Sequence, residues 1–205
     1  MRMRDRDRFP VAHYGPIHGV WLALCVVLTW VLYRPCRLIR LPVFIRGKRN
    51  IVFGPGFVCG YFVRLDAFGP KGCISFGKDV QINDSVHIGS ISKVEIGNNV
   101  LIASRVFITD HDHGGYGDSG ASSNPREPPS HRELVSRAVI IGDNVWIGEN
   151  VSILPGSRIG EGSIIGAGAV VKGDIPPNCI AVGIPAVVVK RFDDSSGRWR
   201  LTRQA

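Results

Sequence analysis

Residues 141–171 read IGDNVWIGENVSILPGSRIGEGSIIGAGAVV, and a large aliphatic residue returns at every sixth position of this stretch. A smaller residue stands four places after each of the first five aliphatics. A period of six fits no amphipathic helix, but it is typical of a parallel β-helix in which each repeat supplies one short strand and one tight corner. Three repeats then make one triangular coil, and glycine, asparagine or aspartate supplies the positive φ of its corners. The six aliphatics are Ile141, Ile147, Ile153, Ile159, Ile165 and Val171.

The same spacing extends towards the N-terminus, with one irregular step. Phe76, Ile82 and Ile88 lie six apart, and so do the aliphatics from Ile96 to Ile108. The step from Ile88 to Ile96 is eight, so two residues are inserted near residues 90–93. Between residues 41 and 73 the repeat is ragged, as terminal repeats of solenoids commonly are.

Three regions follow from this pattern. We predict an N-terminal basic and hydrophobic segment over residues 1–50, a β-helix over 51–190 and a C-terminal tail over 191–205. The repeat stops over 111–137, which is polar and rich in turn residues. A loop of this length in a compact repeat protein is usually functional.

Composition narrows the choice of partners and compartment. The formal charge of +8 indicates an anionic partner, but no basic nucleic-acid module with interleaved aromatics is present. The five cysteines are scattered and form no C-x-x-C pair, so they are expected to be reduced thiols of a cytoplasmic protein.

The N-terminal segment contains a nearly continuous apolar run over residues 17–33, closed by Arg34, Arg37 and Arg40. At about 17 residues it is at the lower limit for a bilayer span. Three interpretations are open. The run can form a helix on the inner face of the cytoplasmic membrane, with arginines reaching lipid phosphates. It can also be a helix packed on the end of the solenoid or in a subunit contact, or a cleaved signal peptide.

From residue 99 to 188 the chain resembles the hexapeptide-repeat acyltransferases, and within them the maltose and galactoside O-acetyltransferases and relatives that acetylate lipopolysaccharide and capsule sugars. The resemblance implies an all-β fold, a left-handed parallel β-helix with the shape of a triangular prism. It also implies acetyl-CoA as the acyl donor, and no metal. The strings that carry it are NVLIA at 99–103, IGDNVWIG at 141–148, PG at 155–156, GAG at 166–168, VVK at 170–172, DIPPN at 174–178 and GIPA at 183–186.

The resemblance implies a catalytic histidine in the loop. An ungapped alignment places it at His113, and a gapped one selects His111. A neutral imidazole can take the proton of a sugar hydroxyl as that hydroxyl attacks the thioester, without an acyl-enzyme. Asp110, Asp112 and Glu133 are candidates for orienting the imidazole.

The resemblance also implies the binding residues. Asn83, with Asp84 beside it, is expected to contact the acceptor sugar, although the pair also has the composition of a turn. The chain departs from the family in two places: the lysine before DIPPN is displaced to Lys172, and Val187 stands where an arginine is usual, so Arg191 is a candidate substitute. The candidates for coenzyme A contacts are Trp146, Gly148, Gly166, Ala167, Lys172 and Lys190.

In the family the sites lie between the prisms of a homotrimer, so the loop is expected to reach a neighbouring subunit. The predicted function is acetyl transfer to a hydroxyl of a surface polysaccharide or of a lipid-linked glycan precursor. The alternatives are a free small acceptor such as a simple sugar, serine or an antibiotic, a γ-type carbonic anhydrase using histidines such as His87 and His131, and a non-catalytic trimeric scaffold.

Overall fold

The computed structural model describes residues 15–116 and 122–202, which form a rod built from three parallel β-sheets. The first face consists of seven parallel strands, followed by two antiparallel ones; the second and third faces have six strands each. The first-face strands are Leu38–Ile39, Val58–Cys59, Gln81–Ile82, Leu101–Ile102, Trp146–Ile147, Ile164–Ile165, Cys179–Val182, Val187–Asp193 and Arg198–Leu201. Those of the second face are Val43–Arg46, Val63–Ala67, His87–Ser90, Phe107–Thr109, Ser152–Ile153 and Val170–Val171. Those of the third face are Ile51–Val52, Ile74–Phe76, Val94–Ile96, Val139–Ile141, Arg158–Ile159 and Asp174–Ile175.

The chain visits the three faces in turn, so each coil adds one strand to every sheet, and the predicted parallel β-helix is confirmed. The aliphatics of the repeat point inward and stack in register, as Ile102 does on Ile82 and Ile147. All six aliphatics of residues 141–171 are buried, and so are the small residues four places after them. This column of side chains is the main core of the described residues, since each coil packs on its neighbouring coils.

Two different demands explain the small and polar residues of the corners. Asn144 and Asn150 adopt positive φ, a conformation that asparagine tolerates better than most residues. Gly148 has a different role: a Cβ there would lie 2.6 Å from the backbone nitrogen of Ala167, so only glycine lets the next coil stack.

An N-terminal helix (Pro16–Leu32) covers one end of the rod. Leu22 and Cys25 pack against Leu38 and Val58, and the Thr29 hydroxyl accepts a hydrogen bond of 2.8 Å from the backbone of Ile39. Within the described residues no helix is long and apolar enough to cross a membrane.

The C-terminal residues add structure that the repeat does not predict. The strand Val187–Asp193 turns back antiparallel on Cys179–Val182 and pairs with Arg198–Leu201. The segment predicted as a tail over 191–205 therefore contains most of a β-hairpin, and residues 203–205 lie outside the described part of the chain.

All five cysteines are buried free thiols. Burial raises the pKa of Cys36 and Cys59 to about 12, so neither thiol is a nucleophile at neutral pH.

Candidate active site

The loop leaves the rod after the second-face strand ending at Thr109 and rejoins it at Val139 on the third face. Its base is a short antiparallel hairpin in which His111–His113 pairs with Leu134–Ser136. A 3₁₀ turn over Pro129–His131 lies further out in the loop. The hairpin holds both candidate histidines at the corner between the second and third faces, because it begins and ends there.

Asp110, at the start of the loop, is a completely buried carboxylate. The Ser90 hydroxyl and the backbone N–H groups of Ser92 and Lys93 donate to Oδ2, at 2.7, 2.8 and 2.7 Å. The backbone N–H of Ile91 donates to Oδ1 at 3.0 Å. Burial alone would raise the pKa of the Asp110 carboxyl, but these donors together with His111 lower it. Asp110 is therefore an anion fixed in position by its donors.

His111 is bound to this carboxylate. Its Nδ1 lies 2.8 Å from Asp110 Oδ1 and 3.2 Å from the Thr109 hydroxyl. A carboxylate facing Nδ1 favours the tautomer with the proton on Nδ1, which leaves Nε2 able to accept a proton. The imidazole side chain is 19% exposed, so it is oriented by the core while still bordering solvent.

His113 lies differently. It is exposed on the hairpin, with its ring centroid 6.5 Å from that of His111. The other two orienting candidates are not placed on either imidazole: Asp112 pairs with Arg137 at 3.2 Å, and Glu133 is exposed. Of the three carboxylates considered, Asp110 is the one that contacts a loop histidine.

A second set of charges lies next to His111 on the outer surface of the second face. Asp66 accepts two hydrogen bonds from Arg46, at 2.6 and 2.7 Å, and one of 2.7 Å from Arg64 Nε. His87 Nε2 lies 3.1 Å from the same carboxylate. The hydrogen bond from Arg46 is the largest influence on the pKa of Asp66 and lowers it to about 2; burial opposes this, and His87 and Arg64 reinforce it.

Gly89 joins the two sets of side chains. A Cβ at this position would lie 3.7 Å from Cε1 of His111 and 4.0 Å from Nε2 of His87. Both imidazoles therefore border the same small gap, which exists because residue 89 has no side chain.

The candidate coenzyme A residues lie mostly along a different edge of the rod. Trp146 is half exposed on the first face. Gly148 follows it at the corner between the first and second faces, with Gly166 and the exposed Ala167 on the next coil of the same corner. An exposed indole beside a corner of small residues fits an extended, narrow ligand lying against the backbone.

The remaining predicted residues are spread over the rod. Asn83 and Asp84 lie at the same corner as Gly148 but on an earlier coil, where Asp84 Oδ1 accepts a hydrogen bond of 2.7 Å from the backbone of Tyr61. Lys172 is exposed at the second-to-third corner, and Lys190 lies on the first face, paired with Ile180. Within one chain, the predicted acceptor, cofactor and histidine positions do not come together.

The sequence contained an unused signal for the role of Asp110. The step of eight between Ile88 and Ile96 adds the residues whose backbone N–H groups, from 91 to 93, surround the carboxylate. The inserted residues therefore supply the donors that hold the Asp110 carboxylate, and this carboxylate orients His111. The residues that sequence reasoning missed altogether are Arg46, Arg64 and Asp66, which lie in the ragged early coils.

Comparison with known proteins identifies the family. The bacterial transferase hexapeptide family (six repeats) matches residues 138–173. The "Putative lipopolysaccharide biosynthesis O-acetyl transferase WbbJ" of Escherichia coli (strain K12) is 49% identical over 186 residues, which are 91% of this chain and 94% of that protein.

Solved structures agree. A maltose O-acetyltransferase from Clostridium difficile 630 superposes with a TM-score of 0.59 at 32% identity, covering 72% of this chain and 73% of that one. A galactoside acetyltransferase in complex with coenzyme A has the same fold, with a TM-score of 0.54 at 24% identity over 99% and 97% of the two chains. The chain is therefore an enzyme that belongs to the hexapeptide-repeat acyltransferases, in the O-acetyltransferase branch.

Proposed function

We propose that this enzyme transfers the acetyl group of acetyl-CoA to a hydroxyl of a sugar in a surface polysaccharide or in its lipid-linked precursor, with His111 as the general base. The observation that carries the proposal is the pair formed by Asp110 and His111 at the base of the loop. The relationship to a protein named for lipopolysaccharide biosynthesis supports the choice of acceptor.

The reaction follows from this pair. Nε2 of His111 accepts the proton of the sugar hydroxyl while the hydroxyl oxygen forms a bond to the thioester carbonyl carbon. The C–S bond then breaks, and the coenzyme A thiolate takes the proton back from the imidazolium. Asp110 remains ionised throughout, since its donors stabilise the charge, and it stabilises the imidazolium in between.

His111 is preferred to His113 on geometry, although the ungapped alignment favours His113. An imidazole is an effective base when one nitrogen is held and the other is free, and of the two only His111 has a carboxylate partner among the described residues.

The test is release of free thiol from acetyl-CoA, followed with and without polysaccharide fragments as acceptor. We expect release to depend on the acceptor, and the product to gain one acetyl ester by mass spectrometry. Acceptor-independent hydration of CO₂, or no release with any glycan, would support the carbonic anhydrase or the scaffold instead. Serine, simple sugars and antibiotics, tested at equal concentration, distinguish the small-acceptor alternative.

We also propose that the working enzyme is a homotrimer. The loop histidines lie at the second-to-third corner, and Trp146, Gly148 and Ala167 lie at or beside the first-to-second corner. A second copy of the rod placed alongside would bring one corner against the other, as the family arrangement implies. Asn83 and Asp84 would then lie on the copy that carries the cofactor edge.

The N-terminal helix is proposed to lie on the cytoplasmic face of a membrane. Its buried residues are Leu22, Cys25 and Thr29, whereas Ile17, Val20 and Trp30 are 87%, 72% and 63% exposed. Large apolar side chains exposed together on one helix normally mark a surface that contacts a partner. Arg34 lies over the Trp30 ring, at 4.4 Å, so a cation is available for lipid phosphates at the same place.

Sedimentation with anionic vesicles tests this contact. We expect Trp30→Ser and Val20→Ser together to abolish cosedimentation while leaving thiol release with a soluble glycan unchanged. Leu201→Ser, which removes a residue 77% exposed on the C-terminal hairpin, is the matched control and should bind like the wild type. Equal vesicle binding by all forms would contradict the proposal.

A further inference from the structure

The outer surface of the second face has two adjacent rows of side chains that the predicted mechanism does not use. The strand register places Phe44, Arg64, His87 and Phe107 in one row. It places Arg46, Asp66 and Gly89 in the row beside it. We define the second-face patch as the residues just listed for these two rows, leaving out Gly89. Its six members are Phe44, Arg46, Arg64, Asp66, His87 and Phe107.

The patch has excess positive charge that is held rigidly. Asp66 neutralises one of the two arginines, and its hydrogen bonds with both fix their guanidinium groups in place. Arg46 also stacks on Phe68, with its Cζ 5.0 Å from the ring centroid. Both arginines stay about half exposed, and within the described residues the two Nη groups of Arg64 donate to no protein acceptor. Preorganised guanidinium groups of this kind are suited to phosphate oxygens.

The patch also provides apolar surface beside the charge. Phe44 is 55% exposed and Phe107 is 37% exposed, and they lie on either side of Arg64 and His87 in the same row. The His87 and Phe107 rings are 5.4 Å apart. A surface with aromatic rings flanking fixed cations can take a ligand that has both a ring and an anionic group.

The patch lies next to the proposed base. His87 and His111 border the same gap above Gly89, so a ligand on the patch would extend towards the His111 ring. Resting on the proposed function, we propose that the second-face patch binds a phosphate group of the acceptor, so that the substrate class is a phosphate-linked sugar rather than a neutral free sugar. A diphosphate attached to a lipid and one attached to a nucleotide share this chemistry.

Binding of inorganic pyrophosphate to the full-length protein tests the proposal by calorimetry at constant ionic strength. Saturating coenzyme A is present, so that its own phosphate sites are occupied. Arg64→Gln leaves the two hydrogen bonds between Arg46 and Asp66 in place, so this variant should keep its fold. We expect its Kd for pyrophosphate to rise roughly tenfold or more, the loss typical of a hydrogen bond to a charged group. Arg64→Lys should lose less, because it keeps the charge.

Arg158→Gln is the matched control, since it removes an exposed guanidinium from the third face. It should leave the Kd unchanged. An unchanged Kd for Arg64→Gln, or an equal loss for Arg158→Gln, would overturn the proposal. Pyrophosphate competition by UDP and by vesicles containing a polyprenyl diphosphate then distinguishes the nucleotide from the lipid source.

Measuring acetyl-CoA binding by the same protein distinguishes a failure of the phosphate-site proposal from a failure of the proposed acetyl transfer. If acetyl-CoA binds and thiol release is intact while pyrophosphate does not respond to Arg64→Gln, only the phosphate site is wrong. If acetyl-CoA does not bind to the wild type, the acetyl transfer itself is wrong.

Discussion

The carboxylate of Asp110 has no contact with solvent and yet keeps its charge, because five donors converge on it. Four of these belong to residues 90–93, and the fifth is the His111 ring. A buried anion held this way fixes the orientation of the imidazole more firmly than an exposed acid would. The chemistry of the site therefore depends on a residue that never reaches the substrate.

Replacing the two loop histidines separately tests which one is the base. His111→Asn should lower the turnover number by about 10²–10⁴-fold, the usual contribution of a general base. His113→Asn should lower it less. Both variants should melt near the wild-type temperature. Thiol release with a glycan acceptor measures the effect, and the reverse order would mean that the ungapped alignment is right.

Asp110→Asn tests the positioning role. An amide keeps the shape, but its N–H₂ group would face the N–H donors of residues 91–93, so the orientation of His111 should be lost. We expect turnover to fall roughly tenfold or more, by comparison with other orienting carboxylates, while KM for acetyl-CoA stays the same. Asp112→Asn, at a partly exposed acid on the same hairpin, is the control. The ¹⁵N chemical shifts of the His111 ring should report a change of tautomer only in Asp110→Asn.

The lowered pKa of Asp66 predicts that the stability of the fold decreases at acidic pH. Its pKa is lowered to about 2 in the folded chain from an ordinary value of 3.8, so the folded form binds fewer protons than the unfolded form between these values. Asp66 thus stabilises the fold fully above about pH 4, and this contribution disappears as the pH falls towards 2. Thermal melts over this range should show a shallower acid decline for Asp66→Asn. A parallel decline in both proteins would contradict this account.

Among the elements, those built by the hexapeptide repeat could be predicted, and the others could not. The inward positions from Phe76 to Val171 follow from spacing alone, because each strand repeats one steric demand. The hairpin that ends at Leu201 lacks the period, so only the structure shows that it reverses onto the first face. The contacts of Asp66 and Asp110 depend on neighbours about 20 residues away in the chain, on adjacent coils. Local sequence patterns do not determine which residues of adjacent coils lie side by side.

Several polar contacts attach the N-terminal helix to the rod, and the contact made by Thr29 is buried. The Thr29 hydroxyl donates to the Cys25 carbonyl and accepts from the Ile39 backbone. Thr29→Val keeps the shape but leaves the buried Ile39 N–H without its acceptor, at a cost of about 1–3 kcal/mol.

We expect the buried Cys25 thiol to react faster with a maleimide in this variant, followed by mass spectrometry of the labelled peptide. Thr29→Ser retains the hydroxyl and should react like the wild type. Equal labelling in all three proteins would mean that the Thr29 hydroxyl does not hold the helix on the rod.

For the whole molecule, the separation of the two edges predicts that subunits can complement each other. His111→Asn lacks the base, and Ala167→Trp should block the cofactor corner with a bulky ring. Each variant alone should be nearly inactive. Mixed oligomers obtained by coexpression should regain activity, since some sites would combine an intact loop from one copy with an intact corner from another. Two-tag purification followed by thiol release measures this, and no recovery would place the site within one copy.

The antiparallel return of Val187–Asp193 also affects how rods can meet end to end. Parallel strands exposed at the end of a solenoid could template the next rod and so propagate a filament. At the first face, an arriving copy would instead meet a strand, Arg198–Leu201, at the edge of a hairpin. At the opposite end it would meet the N-terminal helix. The reversed chain thus interrupts parallel continuation at the first face only, and at that face it favours discrete particles over polymers.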